Sequence, residues 1–333
     1  MQVSKVLTVT IASTVILLSS SFVEGEALIK KAKHNGLVAI PQKQSELLKL
    51  TDPKGVITPQ RVALGRQLFF DPRLSLDKTL SCNSCHLLDK GGVDGVPVAI
   101  GYKGRKNPHH VNSPTVYNAV FFDRQFWDGR SPDLEDQAKG PMVASVEMAI
   151  TPKLVEERIN AVPAYVKAFK KAYGKNVKID FDKVASTIGI FERTLVTPSR
   201  YDDFLNGDTK ALTKAEQEGL SIFIETGCSA CHVGIAIGGK MQPFDLSSGF
   251  KYNNVGDFKG DKDGMIKAPS LRNVSMTSPY FHNGTVDSLL EAIKTIGQVQ
   301  LLVDISDEDA KKIEIFLKSL EGRKPDTSTP KLP

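Results

Sequence analysis

The chain is poor in several things that would have set its class. It has four cysteines, one tryptophan and six histidines in 333 residues. Four thiols are too few for the disulfide framework of a small secreted fold, and a chain this long does not need one. No charge of either sign dominates: 43 Lys and Arg face 38 Asp and Glu, a formal net charge of +5. No basic cluster is interleaved with aromatics, which argues against nucleic acid as a partner. Long apolar runs are also lacking. The strongest, Val6 to Leu18, spans 13 residues, short of the ~20 that cross a bilayer, so no membrane span is expected. Lys5 before it and Ser19, Ser20 and Ser21 after it follow the order of a secretory leader: basic start, apolar centre, small-residue cleavage zone. Residues 1–25 are read as a cleaved signal peptide on that basis.

The scarce cysteines are not scattered. All four fall in two copies of one pentapeptide, Cys82-Asn83-Ser84-Cys85-His86 and Cys228-Ser229-Ala230-Cys231-His232. C-x-x-C-H is the attachment signature of c-type haem. The sulfurs of Cys82, Cys85, Cys228 and Cys231 add to the vinyl groups, and His86 and His232 ligate iron from the proximal side. One zinc held by both pairs is the rival reading. Such pairs normally lie ~15–20 residues apart, whereas 143 positions separate Cys85 from Cys228. Neither zinc nor a disulfide needs a histidine after each pair. Two covalent haem c groups are expected. Covalent haem, together with the leader, places the mature chain in the periplasm.

The chain also repeats itself around these motifs. Thr58-Pro59 and Gly65-Arg66-Gln67-Leu68-Phe69 precede the first; Thr213 and Gly219-Leu220-Ser221-Ile222-Phe223 precede the second. Thr213 with Glu216 reads as a capping box, and Pro59 suits a first helical position. Downstream, Ser113-Pro114-Thr115-Val116-Tyr117-Asn118-Ala119 answers Ala268-Pro269-Ser270-Leu271-Arg272-Asn273-Val274. Phe126-Trp127-Asp128-Gly129 answers Phe281-His282-Asn283-Gly284, and Pro114 to Gly129 and Pro269 to Gly284 are both 15 residues. Val184, Ile188, Phe191 and Leu195 share a helix face. Ser306 caps a C-terminal helix with Ile313, Phe316, Leu317 and Leu320 inward, ended by Gly322. Strand signals are weak. The pattern predicts a mostly α protein of two cytochrome c-like domains, each with one covalent c-type haem. Residues 41–200 and 201–322 are the two domains, joined near 197–212, and the polar, proline-rich 323–333 is read as a disordered tail.

Longer strings carry a resemblance. Leu80 to His86, Gln125-Phe126-Trp127-Asp128-Gly129-Arg130, Gln137-Ala138-Lys139-Gly140-Pro141, Phe191-Glu192-Arg193-Thr194-Leu195 and Pro279-Tyr280-Phe281-His282-Asn283-Gly284 resemble the bacterial di-haem cytochrome c peroxidases, a family that includes the MauG-type enzymes. The resemblance runs from about Gln60 to Leu320. It implies a peroxidatic N-terminal haem and an electron-transfer C-terminal haem. It implies that Glu147, assisted by Gln137, moves the proton during O–O cleavage, and that Trp127 carries electrons between the haems. It implies a calcium ion at Asn112, Thr277 and Pro279, an oxygen-only set that suits a hard cation. The implied partners are hydrogen peroxide and a small electron donor, a c-type cytochrome or cupredoxin, and the family also admits a homodimer.

Two positions depart from the family pattern. The histidine that caps the resting peroxidatic iron is expected sixteen residues after His86, where this chain has Tyr102. Tyr102 either binds iron as a phenolate or points away; His109 and His110 share its loop. The axial methionine of the second haem is expected fourteen residues after His282, where this chain has Ile296. Met276, Tyr280, Tyr252 and Met265 are the nearby substitutes. The leading expectation is a peroxidase. A MauG-like oxidase of another substrate and a plain electron carrier are the rivals; Glu147 and Gln137 favour an enzyme, while Tyr102 and Ile296 favour the MauG-like variant.

Overall fold

The computed structural model describes residues 24–244 and 250–333. Nearly all of the expected leader lies outside them. Helices carry the fold: α1 (24–34), α2 (Gln44–Thr51), α3 (Pro59–Phe69), α4 (Cys82–Cys85), α5 (Leu134–Val143), α6 (Pro152–Asn160), α7 (Pro163–Tyr173), α8 (Phe181–Glu192), α9 (Arg200–Leu205), α10 (Lys214–Glu225), α11 (Leu289–Ile296) and α12 (Asp307–Lys318). Strands β1 (Met241–Pro243) and β2 (Met265–Lys267) form one short antiparallel pair, with Met241 opposite Lys267. Local chemistry sets the helix starts. Thr58 accepts a bond from the Arg61 amide with Pro59 in the first turn. Thr213 and Glu216 form the expected reciprocal capping box. Ser306 caps α12 through the Asp309 amide.

Two separate cores form among the described residues. The first gathers α3 and α5–α8 around Leu68, Phe69, Tyr165, Phe169, Ile188 and Phe191. The second gathers α9, α10 and α12 around Tyr201, Phe204, Leu220, Phe223, Ile313 and Phe316. Full burial of such side chains is worth ~1.5–3 kcal/mol each. The segment expected only to join the domains is part of the second core through α9. Helix α1 also belongs there, through Ile29 and Ala32, although it precedes the first domain in sequence. A buried pair holds this arrangement: Arg272 donates to both Asp202 oxygens at 2.9 and 2.7 Å, and Asp202 also accepts the Ile40 amide at 2.7 Å.

The duplication in sequence is a duplication in backbone. Asn118 and Asn273 are both left-handed at φ 60°, and Phe126 and Phe281 at 66° and 67°. The Asn118 amide donates to Leu195 at the end of the α8 segment, and Asn273 to Leu320 after α12. Both asparagine side chains donate to the same hydroxyl, Thr197, at 2.7 and 2.8 Å. Gly65 and Gly219 serve the same purpose in each half. A Cβ there would meet the Thr187 or Lys312 carbonyl at 2.2 or 2.1 Å, so only glycine lets α3 pack on α8 and α10 on α12 this closely.

The C-terminal tail departs from expectation. Residues 323–333 form no helix or strand, but they run back along the first domain. Asp326 pairs with Arg66, Ser328 accepts from Arg66 at 2.8 Å, Lys331 accepts from Gln67 at 2.9 Å, and Pro333 accepts from Arg73 at 2.9 Å. Leu332 packs on the first core. Composition alone read this segment as disordered because its partners are surface side chains of a distant helix.

Candidate active site

Cys82 and Cys85 begin and end the single turn of α4, and Ser81 and Ser84 brace it as a capping box. The second copy makes a 3₁₀ turn, Cys228–Ala230, followed by Cys231. All four thiols are free. Burial keeps them protonated: Cys85 is pushed up to about 12 and Cys228 to about 11. Among the described residues no three His, Cys, Asp or Glu side chains are grouped to hold a bare metal ion, which removes the zinc reading. His86 turns Nδ1 to the Gly92 carbonyl at 3.3 Å. A carbonyl can only accept, so Nδ1 carries the proton and Nε2 keeps its lone pair. Burial holds both imidazoles neutral, His232 down to about 4. Thiols, imidazole and cavity therefore fit covalent haem in both halves.

Each motif opens on a cavity. The first, about 930 Å³, is lined by Cys82, Cys85, His86, Gln137, Glu147 and Trp127, among others. The second is narrower, about 170 Å³, and mostly apolar; Cys228, Cys231 and His232 line it. Trp127 lines both. Its indole N–H donates to the Asn112 carbonyl at 2.9 Å, and its ring meets His282 edge-on at 6.4 Å. This fixes its orientation in the wall between the cavities.

The structure brings the expected acid and its helper to one cavity. Gln137 comes from α5. Glu147 follows a turn in which its own amide donates to Ala144 and its carbonyl accepts from Tyr102 at 2.6 Å. Burial raises the Glu147 pKa, and the charge of Arg130 opposes the rise. Asn112, Thr277 and Pro279 line the same cavity. The buried Asn112 amide faces the carbonyls of Val96 and Pro279 at 3.2 and 3.4 Å.

The two departures have different outcomes. Tyr102 does not line the first cavity: it sits on a 3₁₀ turn, Tyr102–Gly104, with the Lys103 ammonium 5.2 Å from its ring. His109 does line the cavity, with Nδ1 held 2.7 Å from Asp257. His110 does not, and its Nδ1 is buried without a partner among the described residues. Ile296 lines the second cavity, as its register requires. Of the substitutes, Met276, Met265 and Tyr252 are absent from that lining; Tyr280 is present, its hydroxyl donating to Val274 at 3.2 Å. A π-turn, Gly297–Leu301, follows Ile296 and brings Gln300 into the lining.

Sequence reasoning assigned no role to two buried charges here. Glu192, at the end of α8, is 4% exposed, lines the first cavity and leaves one oxygen without a partner. Burial pushes it up to about 8. Lys267 in β2 is equally buried and lines both cavities. For Glu192 the signal was a carboxylate one turn from Ile188 on an apolar face.

Comparisons with known proteins identify the family. The family model for di-haem cytochrome c peroxidase matches residues 59–210. The chain is 46% identical over 289 residues to cytochrome c551 peroxidase of Pseudomonas aeruginosa, covering 83% of each chain. It is 31% identical to the methylamine utilization protein MauG of Methylorubrum extorquens, covering 83% of this chain and 82% of that one. A solved MauG-like protein associated with microbial copper homeostasis superposes with a TM-score of 0.71 at 27% identity, covering 82% of this chain and 94% of the other. The chain belongs to the di-haem cytochrome c peroxidase family.

Proposed function

We propose that this chain reduces hydrogen peroxide to water in the periplasm, with electrons delivered through its C-terminal haem by a small c-type cytochrome or cupredoxin. The observation that carries the reading is the meeting of His86, Glu147 and Gln137 on one cavity. Bound haem supplies the iron at which peroxide is reduced. The chain supplies the proton path. A Glu147 oxygen takes the proton from one peroxide oxygen and returns it to the other, so that water leaves as the O–O bond breaks. A carboxyl pKa raised by burial brings proton uptake and release closer to neutral pH, where both steps are needed. Gln137 orients peroxide by hydrogen bonding. Trp127, in the wall common to both cavities, shortens the electron path between them. No described helix is long and apolar enough to cross a membrane.

Calcium is part of the same reading, held by Asn112, Thr277 and Pro279. An amide that faces two carbonyls can turn its own oxygen toward a hard cation. Chelator treatment of the haem-loaded protein should lower turnover, with recovery on adding calcium; full activity after verified calcium removal would refute the site. The central test is Glu147→Gln. The variant should keep two haem additions by mass and lose ~10²–10⁴-fold in peroxide turnover. Unchanged peroxide kinetics would remove Glu147 from the mechanism.

A further inference from the structure

The two cavities share a wall formed by Trp127, Lys267, Pro269, Val274, Tyr280 and Phe281. Lys267 is the one charged side chain in it. Its backbone amide donates to the Trp127 carbonyl at 2.7 Å, so β2 and the tryptophan segment move together. Its ammonium donates to the Arg124 carbonyl at 3.1 Å and lies 4.3 Å from the Phe122 ring centre. Phe122 lines the first cavity and not the second. The stem thus crosses the wall and the head group faces the N-terminal side.

A carbonyl and a ring face leave an ammonium short of counter-charge. Among the described residues no carboxylate forms an ion pair with it; Asp128 acts only from a distance. Burial pushes this amine down to about 7. A buried cation without a partner is costly and is kept where a partner arrives. Haem brings carboxylates: its two propionates are the charged groups on its rim. The other cations lining the first cavity differ in setting: Arg130 is exposed and paired with Asp128 at 2.9 Å, and Lys259 is not buried.

We propose that Lys267 is the buried counter-ion of a propionate of the N-terminal haem and sets that haem's potential from within the wall that also holds Trp127. A positive charge beside a haem favours the reduced iron, which carries one positive charge less. Lys267 is a positioning and tuning residue in this reading, not a catalytic one. The inference rests on haem occupancy alone and makes no use of peroxide turnover.

The test is spectroelectrochemistry of the haem-loaded protein and two variants, Lys267→Met and Lys267→Arg. Lys267→Met keeps the stem and removes the charge. Its N-terminal haem should become at least tenfold harder to reduce, a fall of about 59 mV or more, with the C-terminal haem moved less. Lys267→Arg keeps the charge and should stay near the parent. An N-terminal potential in Lys267→Met within twofold of the parent would overturn the proposal, as would an equal fall in both variants. Should Lys267→Met fail to load two haems, resonance Raman spectra of the parent and Lys267→Arg decide the matter. Propionate bending bands that match solvent-exposed propionates refute the pair; bands displaced in the parent and displaced again by arginine support it. Loss of peroxidase activity with unchanged potentials would overturn the pair and leave the proposed function standing.

Discussion

Glu192→Gln isolates a buried charge whose effect can be worked out beforehand. The folded chain holds the Glu192 proton up to about pH 8, whereas an unburied carboxyl releases it near 4.5. The folded-state pKa is the higher one. Its contribution to stability is therefore fully present below pH 4.5, declines as pH rises, and is gone above pH 8. At 1.36 kcal/mol per pH unit, the interval of roughly three and a half units amounts to ~4–5 kcal/mol. Glutamine has nearly the same shape and does not titrate. It also leaves a buried amide short of partners, at ~1–3 kcal/mol independent of pH. The variant should be less stable than the parent at pH 5 and more stable at pH 8. For a unit of this size each kcal/mol moves the melting midpoint by ~2–4 °C, so the swing between the two pH values is about 10 °C. Thermal unfolding of the haem-loaded proteins, followed by circular dichroism at pH 5, 6.5 and 8, measures it. Parallel pH dependences for parent and variant would show that Glu192 is already ionised or solvated in the folded chain, and the reasoning fails.

Three further outcomes follow from the site. Trp127→Phe should slow inter-haem oxidation in stopped-flow experiments while both haems stay attached; an unchanged rate would leave Trp127 as packing. Ile296→Met should place a thioether in the second cavity at a packing cost below ~1.5 kcal/mol and raise the potential of the C-terminal haem, seen as the red charge-transfer band of methionine-ligated ferric haem. No new band and no rise would mean that Ile296 does not face the iron. Fully ferric protein mixed with peroxide should react promptly at the N-terminal haem, because Tyr102 lies off its cavity. A lag until one haem is reduced would hand that gate to His109, which lines the cavity with one nitrogen held by Asp257.

Much of this was readable from short-range chemistry. Thr213, Glu216 and Ser306 sit where backbone amides need acceptors, so their helix starts could be read directly. Equal fifteen-residue spacings in the two halves exposed a duplication that the backbone repeats, down to left-handed Asn118 and Asn273. His86, Glu147, Gln137 and Trp127, which the sequence singled out, line one cavity. What sequence hid depends on distant segments meeting. Helix α1 joins the second core because Ile29 and Ala32 find Phe223 and its neighbours there, not because of anything local. The tail has little apolar area and is held by carbonyls and one carboxylate facing Arg66, Gln67 and Arg73. Lys267 reads as an ordinary strand lysine until the wall around it is assembled.

The two departures from the family pattern act on different irons and have different consequences. At the N-terminal haem, the loop that carries Tyr102 is fixed through its backbone: the Tyr102 amide donates to the Glu147 carbonyl, and the Gly101 amide to Arg105 at 2.8 Å. The side chain of Tyr102 is then free to lie against Lys103, outside the cavity. The loop in this chain therefore braces the backbone at Glu147, the acid of the proposed function, and leaves Tyr102 off the cavity. In the C-terminal half, Ile296 stands where the family resemblance expects a methionine ligand, and the Tyr280 hydroxyl in the same cavity donates to Val274. If no other side chain replaces methionine there, the proposed function predicts a lower potential for that haem than methionine ligation would give. Neither side chain, Tyr102 or Ile296, shifts Glu147: its pKa is raised by burial and opposed by Arg130, and its cavity is lined from α5 and α8. On the proposed function, peroxide chemistry at the first haem is therefore expected to survive both changes, with the ferric-protein and Ile296→Met experiments reading each one separately.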